Sequence, residues 1–382
     1  MSSEPPVVGS PAAARLWAAA PPFPAGSISS VAGAPRSGAA PPSDAGELVS
    51  AEALLAWRRR LLQVGGAGAD LDWLLDLAGG LPWSELQGLR LQPQRRVTLQ
   101  RSLQALEAIW CAHRQGAGPL QYLVGCCPWR DLNLEVGPGV LIPRQETELL
   151  VELLLHTQAP ARGGTAEDAL ELRPAPALWA DLGTGSGCLA IALARTFPAS
   201  QGLAVDLSGA ALAQARRNLD AQGLTERVSL LRGSWWEPLQ PWWGRFELAI
   251  ANPPYIPSAV VANLDPLVRD HEPRLALDGG ADGLTCLRAI VAAAPLALAP
   301  GGLLLVEHHH DQSPAVLALM QAAGLHNPQA FRDLEGVRRF AAAIRPPDAV
   351  RPAPGATAAG PGTSTGPDGR ASLAGGGLSG LD

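Results

Sequence analysis

The fold is decided by the stretch Ala180-Asp181-Leu182-Gly183-Thr184-Gly185-Ser186-Gly187-Cys188. A short apolar run precedes its glycines, and a helical pattern follows them as far as Phe197. Glycines at such a turn allow positive φ and let the backbone approach a ligand closely. The dinucleotide fingerprint is GxGxxG, whereas the spacing here is GxGxG, with Cys188 where the last glycine would stand. The stretch predicts a strand, a glycine turn (residues 183–187) and a helix at a ligand site.

Short apolar runs and helical patterns alternate from residue 177 onward. The apolar runs lie at residues 178–182, 202–206, 228–231, 247–251 and 302–307, and helical patterns separate most of them. Such near-regular alternation is typical of a parallel sheet with helices on both faces. We therefore predict an α/β fold with a doubly wound, mostly parallel sheet.

Asp206 ends the second of these strand-like runs. The carboxyl end of a strand in a doubly wound sheet faces the ligand crevice, where a carboxylate can accept hydrogen bonds from both hydroxyls of a ribose diol. S-adenosylmethionine and NAD both carry such a diol. The glycine turn and Asp206 favour S-adenosylmethionine but leave NAD, and a purely structural turn, as alternatives.

The sequence Asn252-Pro253-Pro254-Tyr255, called here the Asn-Pro-Pro-Tyr loop, follows the fourth strand-like run. Two prolines fix their own φ and restrict Asn252 to extended geometry, which makes the loop rigid. If the Asn252 side-chain oxygen and the Pro253 carbonyl accept both hydrogens of a planar NH₂ group, its nitrogen lone pair can point at an electrophilic methyl. Tyr255 would stack on that group and favour a nearby sulfonium. The loop thus predicts methyl transfer to an NH₂ nitrogen.

The first half of the chain has other patterns. Residues 47–115 show helical spacing and predict about four helices, the last of them with Leu99, Leu103, Leu106 and Trp110 on one face. Between Pro119 and Val136 the period shortens, so we predict a β-hairpin that includes residues 122–124. The next helix is predicted from Leu149, with Thr147 as its N-cap.

Composition excludes several classes of protein. The chain has 382 residues, 47% of them hydrophobic, which is enough for a full core. Its 29 Lys and Arg against 35 Asp and Glu give a net charge of −6 and no general attraction to nucleic acid. The five cysteines form no CxxC and no zinc-ligand spacing, so we expect free thiols and no metal. No signal peptide or membrane span is apparent, and we expect a cytoplasmic protein.

Several segments together resemble the HemK/PrmC family of release factor glutamine N5-methyltransferases, which are class I S-adenosylmethionine-dependent enzymes. The resemblance covers residues 51–344 and rests on the glycine turn, the Asn-Pro-Pro-Tyr loop and the following segments: Pro119-Leu120-Gln121-Tyr122-Leu123-Val124-Gly125, Leu141-Ile142-Pro143-Arg144-Gln145-Glu146-Thr147-Glu148, His271-Glu272-Pro273, Ala276-Leu277-Asp278-Gly279-Gly280 and Arg332-Asp333-Leu334. The part from the hairpin to the helix is the most specific, since nucleic-acid methyltransferases share the Asn-Pro-Pro-Tyr loop.

The resemblance implies a seven-stranded, Rossmann-like sheet preceded by a small helical bundle and a β-hairpin. The implied domains are a disordered tail at 1–46, a helical domain at 47–117 that docks the release factor, a hairpin linker at 118–140, a methyltransferase domain at 141–345 and a tail at 346–382. The glutamine to be methylated lies in a Gly-Gly-Gln tripeptide of the release factor. We expect a monomer.

The implied cofactor residues are Gly183, Thr184, Gly185, Ser186 and Gly187 at the methionine part, Asp206 at the ribose, Trp235 at the adenine and Asn252 near the methyl group. The implied catalytic residues are Asn252, Pro253 and Tyr255, and these bind the substrate amide together with Pro254. In two places the sequence departs from the family pattern. Ser234 stands where an acidic residue, able to accept from the adenine amino group, is common, and Gln145 replaces a proline.

Other functions remain as alternatives. A nucleic-acid amino-methyltransferase would have the same loop and cofactor, but it would need a basic surface or a target-recognition domain for base flipping. A catalytically silent binding protein could keep the fold, and intact Asp206, Asn252 and Tyr255 argue against it. Simple packing is an alternative role for Trp235. An NAD-linked oxidoreductase would need an acid–base pair near the crevice, and the sequence offers none there.

Overall fold

A computed structural model describes residues 46–156 and 175–347 of the chain. The tails predicted at 1–46 and 346–382 therefore lie almost wholly outside the described residues. Within the two described ranges, no helix is both long and apolar enough to cross a lipid bilayer.

The first part of the described chain is a helical cluster with a two-stranded sheet. Its elements are β1 (Glu47–Ser50), α1 (Ala51–Gln63), α2 (Gly68–Leu77), α3 (Trp83–Leu89), β2 (Arg96–Leu99), α4 (Leu103–Arg114) and α5 (Leu120–Val124). Strands β1 and β2 pair antiparallel. The hydroxyls of Ser50 and Ser102 cap α1 and α4 by accepting from the amides three residues ahead. Leu54, Leu71, Leu74 and Leu106 are fully buried between the helices.

The two short strands correct the prediction of helices throughout residues 47–115. Each strand has four residues, too few for a clear period, and the leucine spacing from Leu99 to Leu106 also fits a helix. Ser102 decides the boundary because its hydroxyl caps a helix that begins at Leu103. Leu99 is instead buried from a strand.

A β-hairpin follows the helical cluster, as predicted, but it is shorter than expected. Strands β3 (Cys126–Trp129) and β4 (Leu132–Glu135) pair antiparallel. The prediction of a strand at residues 122–124 was wrong, since they belong to α5. Gly125 ends that helix with a φ of 87°, and its amide donates to the Gln121 carbonyl. A five-residue helix gives too little sequence to reveal its period.

The rest of the described chain forms a seven-stranded sheet with helices around it. Its elements are α6 (Glu148–His156), β5 (Leu178–Leu182), α7 (Cys188–Thr196), β6 (Gln201–Asp206), α8 (Gly209–Ala221), β7 (Val228–Arg232), β8 (Phe246–Ala251), α9 (Ser258–Val261), α10 (Pro266–Arg269), α11 (Thr285–Ala297), β9 (Leu298–Glu307), α12 (Ser313–Ala322), β10 (His326–Arg332) and β11 (Arg338–Ile344). The strand order is β10-β11-β9-β8-β5-β6-β7. All neighbours are parallel except β11, which runs antiparallel to both β9 and β10. The predicted fold class is confirmed.

Helices cover both faces of this sheet, and two buried clusters form its core. Packing is close at Gly202 in β6, where a Cβ would lie 2.0 Å from the indole of the fully buried Trp179. The chain runs from β5 outward to β7 and then returns to the other side of β5 as β8. A crevice forms at this kind of reversal, at the carboxyl ends of the strands. The predicted domain boundaries stay a prediction.

Candidate active site

A cleft opens at the carboxyl ends of β5 to β8, beside the point where the strand order reverses. On the sheet side it is lined by Gly183, Gly185, Val205, Asp206, Leu207, Ser208, Ala211, Gly233, Ser234, Trp235, Asn252 and Pro254. The rest of the lining comes from Gly139, Val140, Leu141, Pro273, Leu275, Ala276, Asp278 and Cys286. The three predicted regions around residues 183, 206 and 252 are therefore brought together.

The glycine turn owes its shape to backbone geometry. Gly183, Gly185 and Gly187 have φ values of 83°, 55° and 85°, a region that favours glycine. The amides of Gly183 and Thr184 both donate to the Val205 carbonyl, at 2.8 and 2.9 Å. Gly183 and Gly185 line the cleft. Thr184 and Ser186 are buried, and Gly187 packs against α8, where a Cβ would lie 3.2 Å from Ala215.

Asp206 lies at the predicted position and also holds the turn. One of its carboxylate oxygens accepts from the Gly185 amide at 2.9 Å, and the other accepts from the Ser208 amide at 2.8 Å. Burial raises the pKa of the Asp206 carboxyl, and the amide hydrogen bonds oppose that shift. A carboxylate has about four acceptor positions, so it can still accept from two hydroxyls of a ligand.

Trp235 follows β7 and lines the same end of the cleft. Its φ of 49° is uncommon for a residue with a side chain. A Cβ on Gly183 would lie 3.1 Å from the Trp235 indole, so the ring lies close over the glycine turn. Ser234 also lines the cleft. An apolar ring beside a bound planar group is suited to stacking.

Asp181 lies directly before the turn and is fully buried. The Thr184 hydroxyl donates to its Oδ2 at 2.6 Å, while Oδ1 has no hydrogen-bond partner among the described residues. Burial raises the pKa of the Asp181 carboxyl to about 7. A glycine cradle, a carboxylate at the end of β6, a flat indole and a spare buried carboxyl oxygen fit a cationic nucleoside such as S-adenosylmethionine.

Asn252 is oriented by a chain of hydrogen bonds through the buried Thr147 and Glu307 to the half-buried Tyr255. Its Nδ2 donates to the Thr147 hydroxyl at 2.7 Å, and that hydroxyl donates to Oε2 of Glu307 at 2.8 Å. The Tyr255 hydroxyl donates to the other oxygen of Glu307 at 2.9 Å. In residues 46–156 and 175–347, Oδ1 of Asn252 accepts no hydrogen bond, so it is available to a ligand. We call Asn252, Thr147, Glu307 and Tyr255 the Asn252 network.

The backbone of the Asn-Pro-Pro-Tyr loop is held by the segment at residues 277–283. The Ile256 amide donates to the Leu277 carbonyl at 3.1 Å, and the Gly279 amide donates back to the Ile256 carbonyl at 2.8 Å. A Cβ on Gly279 would lie 2.8 Å from the Pro254 carbonyl oxygen. The side chain of Gln312 also donates to the Tyr255 carbonyl at 2.9 Å. The loop is thus rigid through its neighbours as well as its prolines.

Glu272 joins the segment that follows α10 to the segment before α6. Its buried carboxylate accepts from the Ile142 amide at 3.1 Å and from the Arg144 guanidinium at 2.6 Å. Glu148 accepts from the Arg130 amide at 2.9 Å. Both acids are therefore engaged in structural hydrogen bonds.

Sequence reasoning missed the roles of Thr147 and Glu307. Thr147 stands directly before α6, at the predicted N-cap position, but its hydroxyl bonds Asn252 and Glu307 and not a helix amide. The segment around Thr147 was noted for its helix-capping pattern and for the family resemblance, and neither of these predicts that Thr147 contacts Asn252 or Glu307. Glu307 is the last residue of the apolar strand β9. An acid in such a buried position needs a hydrogen-bond partner, and this was the sequence signal that could have identified it.

The structure offers one group of potential metal ligands in its described part. His309, His310 and Asp311 bring one ligand atom each within 4.8 Å of the others, and the last two are exposed. Exposed groups of this kind are common without an ion. The expectation that no metal is bound stays a prediction.

The seven-stranded sheet, with a glycine turn after β5, an acid at the end of β6 and an Asn-Pro-Pro-Tyr loop after β8, is the architecture of a methyltransferase. The family model described as "Methyltransferase domain" matches residues 180–265, which include all three features.

Curated relatives match far more of the chain. A release factor glutamine methyltransferase of Prochlorococcus marinus is 49% identical over 297 residues, which is 78% of this chain and 98% of that protein. Proteins of the same name from Synechocystis and Thermosynechococcus vestitus are 38% and 42% identical over 77% and 72% of this chain, and over 97% and 91% of their own lengths. The chain belongs to the family of release factor glutamine methyltransferases.

Proposed function

We propose that this methyltransferase transfers the methyl group of S-adenosylmethionine to the side-chain amide nitrogen (N5) of the glutamine in the Gly-Gly-Gln motif of peptide chain release factors. The observation that carries the proposal is the orientation of Asn252. Its Nδ2 is committed to Thr147, and its Oδ1 is left available beside the cleft. An acceptor fixed in this way suits a substrate that presents N–H donors.

The cofactor would lie along the ends of β5 to β7. Gly183 to Gly187 would surround its methionine part, Asp206 would accept from the ribose hydroxyls, and Trp235 would pack against the adenine. When bound, S-adenosylmethionine supplies an electrophilic methyl group on a positively charged sulfur. The spare buried oxygen of Asp181 would favour the positive charge of the methionine part.

The substrate amide would be held by the Asn-Pro-Pro-Tyr loop. Asn252 Oδ1 and the Pro253 carbonyl would each accept one N–H of the amide, while Pro254 and Tyr255 flank it. These hydrogen bonds fix the nitrogen and strengthen as positive charge develops on it, so they lower the barrier as well as bind. A neutral amide has a very high pKa, so a carboxylate cannot deprotonate it beforehand. The nitrogen, positively charged once it carries the methyl group, would then lose its N–H proton to solvent.

The remaining parts of the chain are proposed to serve this reaction. The helical domain at residues 47–117 would dock the release factor, the hairpin at 118–140 would link it to the methyltransferase domain at 141–345, and the protein would act in the cytoplasm as a monomer. The net charge of −6 supports a protein substrate over direct nucleic-acid binding.

The test is incubation of the full chain with methyl-labelled S-adenosylmethionine and a set of substrates. A release factor should be labelled on its Gly-Gly-Gln glutamine, and a release factor with that glutamine changed to glutamate should not. Duplex DNA and ribosomal RNA serve as the other arms. Label on nucleic acid alone would establish the amino-methyltransferase alternative instead.

A further inference from the structure

We propose that Glu307, acting through Thr147, is a positioning residue that decides which end of the Asn252 side-chain amide faces the substrate. This inference deepens the proposed function and rests on it. Glu307 is not among the residues that line the cleft, and within the described ranges its carboxylate accepts hydrogen bonds from the hydroxyls of Thr147 and Tyr255.

The orientation of a side-chain amide is set by its partners, since its oxygen and nitrogen ends have nearly the same shape. The only side-chain partner of Asn252 within the described ranges is Thr147. A threonine hydroxyl has one hydrogen to donate, and it can also accept. Whether Thr147 presents its hydrogen or its lone pair to Asn252 therefore determines which end of the amide points into the cleft.

An ionised Glu307 fixes that choice. A carboxylate only accepts, so both hydroxyls that contact it must donate. Thr147 then donates its hydroxyl hydrogen to Glu307 at 2.8 Å and can only accept from Asn252 Nδ2, at 2.7 Å. Asn252 Oδ1 is left facing the substrate, where an N–H donor is required.

A protonated Glu307 permits the opposite direction. Its own hydrogen can be donated to Thr147, which frees the Thr147 hydrogen for Asn252 Oδ1. The amide would then turn its NH₂ group toward the substrate NH₂ group, and two donors would face each other. Loss of the negative charge at Glu307 should therefore weaken methyl transfer without touching either ligand.

The surroundings of Glu307 bring this change into an accessible pH range. Burial raises the pKa of the Glu307 carboxyl to about 7, and the hydroxyls of Thr147 and Tyr255 oppose that rise. The charged groups that face it are Glu146, before α6, which raises its pKa, and Arg339, on β11, which lowers it. Arg339 is itself paired with Asp333 at 2.5 Å. Methyl transfer should fall as pH drops through about 7 and level off above it.

A matched pair of variants tests the hydroxyl. Thr147→Val keeps the shape and removes the hydroxyl, whereas Thr147→Ser keeps the hydroxyl. Single-turnover methylation of the release factor should fall by about 100-fold in Thr147→Val. Most of the rate should return in Thr147→Ser, and calorimetry should find the same S-adenosylmethionine affinity in both. Equal rates in the two variants would overturn the proposal.

Glu307→Gln tests the charge. Wild type and Thr147→Ser should lose rate between about pH 8 and about pH 6, whereas Glu307→Gln should start lower and show no such decline. A decline that persists in Glu307→Gln would overturn the proposal. Wild-type activity separates this inference from the proposed function. If the wild type never labels the release factor, the proposed function is refuted. If the wild type is active and the variants have the same rates and pH profiles as the wild type, only the inference is refuted.

Discussion

The glycine turn and the Asn-Pro-Pro-Tyr loop follow neighbouring parallel strands of one sheet, but they keep their shapes by different means. The turn is built from backbone conformation, with three glycines at positive φ and amides that donate to Val205 and Asp206. The loop is built from prolines and from side chains that arrive from distant segments, Thr147 before α6 and Glu307 at the end of β9.

The difference matches the kind of ligand that each loop is proposed to meet. A cofactor brought close to the backbone needs space and amide groups, which glycines supply. A reacting nitrogen needs one acceptor in one direction, and only an oriented side chain or carbonyl supplies that. Substitutions at the glycine turn should therefore change mainly cofactor affinity, and substitutions at the Asn-Pro-Pro-Tyr loop should change mainly the rate of methyl transfer.

The sharpest separation is expected for Asn252→Ala. Removing the oriented acceptor should lower the single-turnover rate by about 1,000-fold or more, because orientation can contribute up to about 7–11 kcal/mol in favourable cases. S-adenosylmethionine affinity should stay nearly unchanged, as measured by calorimetry. If affinity and rate fell together, Asn252 would be a structural residue and the comparison would fail.

Each loop also lies beside a buried acid, Asp181 at the glycine turn and Glu307 at the Asn-Pro-Pro-Tyr loop. The pH dependence of protein stability should reveal the titration of both. Burial raises the pKa of Asp181 and of Glu307 to about 7, so the folded protein holds protons that the unfolded chain releases. The stability of the wild type should therefore fall as pH rises from about 4.5 to about 7, by no more than about 3 kcal/mol for each group.

Asp181→Asn and Glu307→Gln should each remove part of that decline, which urea denaturation at several pH values would measure. Only Glu307→Gln should also change the pH profile of the chemical step. An unchanged decline in both variants would show that neither carboxyl titrates in this window.

Asp206→Ala changes the cofactor side of the cleft and should mainly lower the affinity for S-adenosylmethionine. The substitution removes charge-assisted hydrogen bonds worth roughly 1.5–3 kcal/mol each, so affinity should fall by about 10- to 100-fold. The rate at saturating S-adenosylmethionine should change less. Unchanged affinity would show that Asp206 serves the turn alone, through Gly185 and Ser208.

The smallest effect is expected for Gly279→Ala. The new methyl group would press on the Pro254 carbonyl at 2.8 Å and shift the loop backbone. Methyl transfer should drop by about 10-fold with little change in cofactor affinity. Gly88→Ala is the matched control, since a Cβ there meets nothing within 4 Å. Equal activity in the two variants would show that the loop tolerates movement.

The same contrast explains what the sequence could predict. The run at residues 178–182 coincides with β5, and Asp206 and Asn252 stand at strand ends that reach the cleft, because local periodicity and turn chemistry fix such features. The Asn252 network could not be predicted in this way. Thr147 and Glu307 are 160 residues apart, and neither has a local pattern that names its partner. Strands β1 and β2 were missed for the same reason. Only their pairing with each other distinguishes these short segments from helix, and that pairing joins residues far apart in the sequence.

The order of the strands has a consequence for synthesis on the ribosome. The glycine turn, Asp206 and Trp235 have all been translated by residue 235, whereas Glu307 docks only when β9 pairs with β8. Since chains grow at roughly 5–20 residues per second, Asn252 emerges seconds before the acid that orients it. A nascent chain that stops before β9 would carry all three of these cofactor-side features and an Asn252 amide still free to turn.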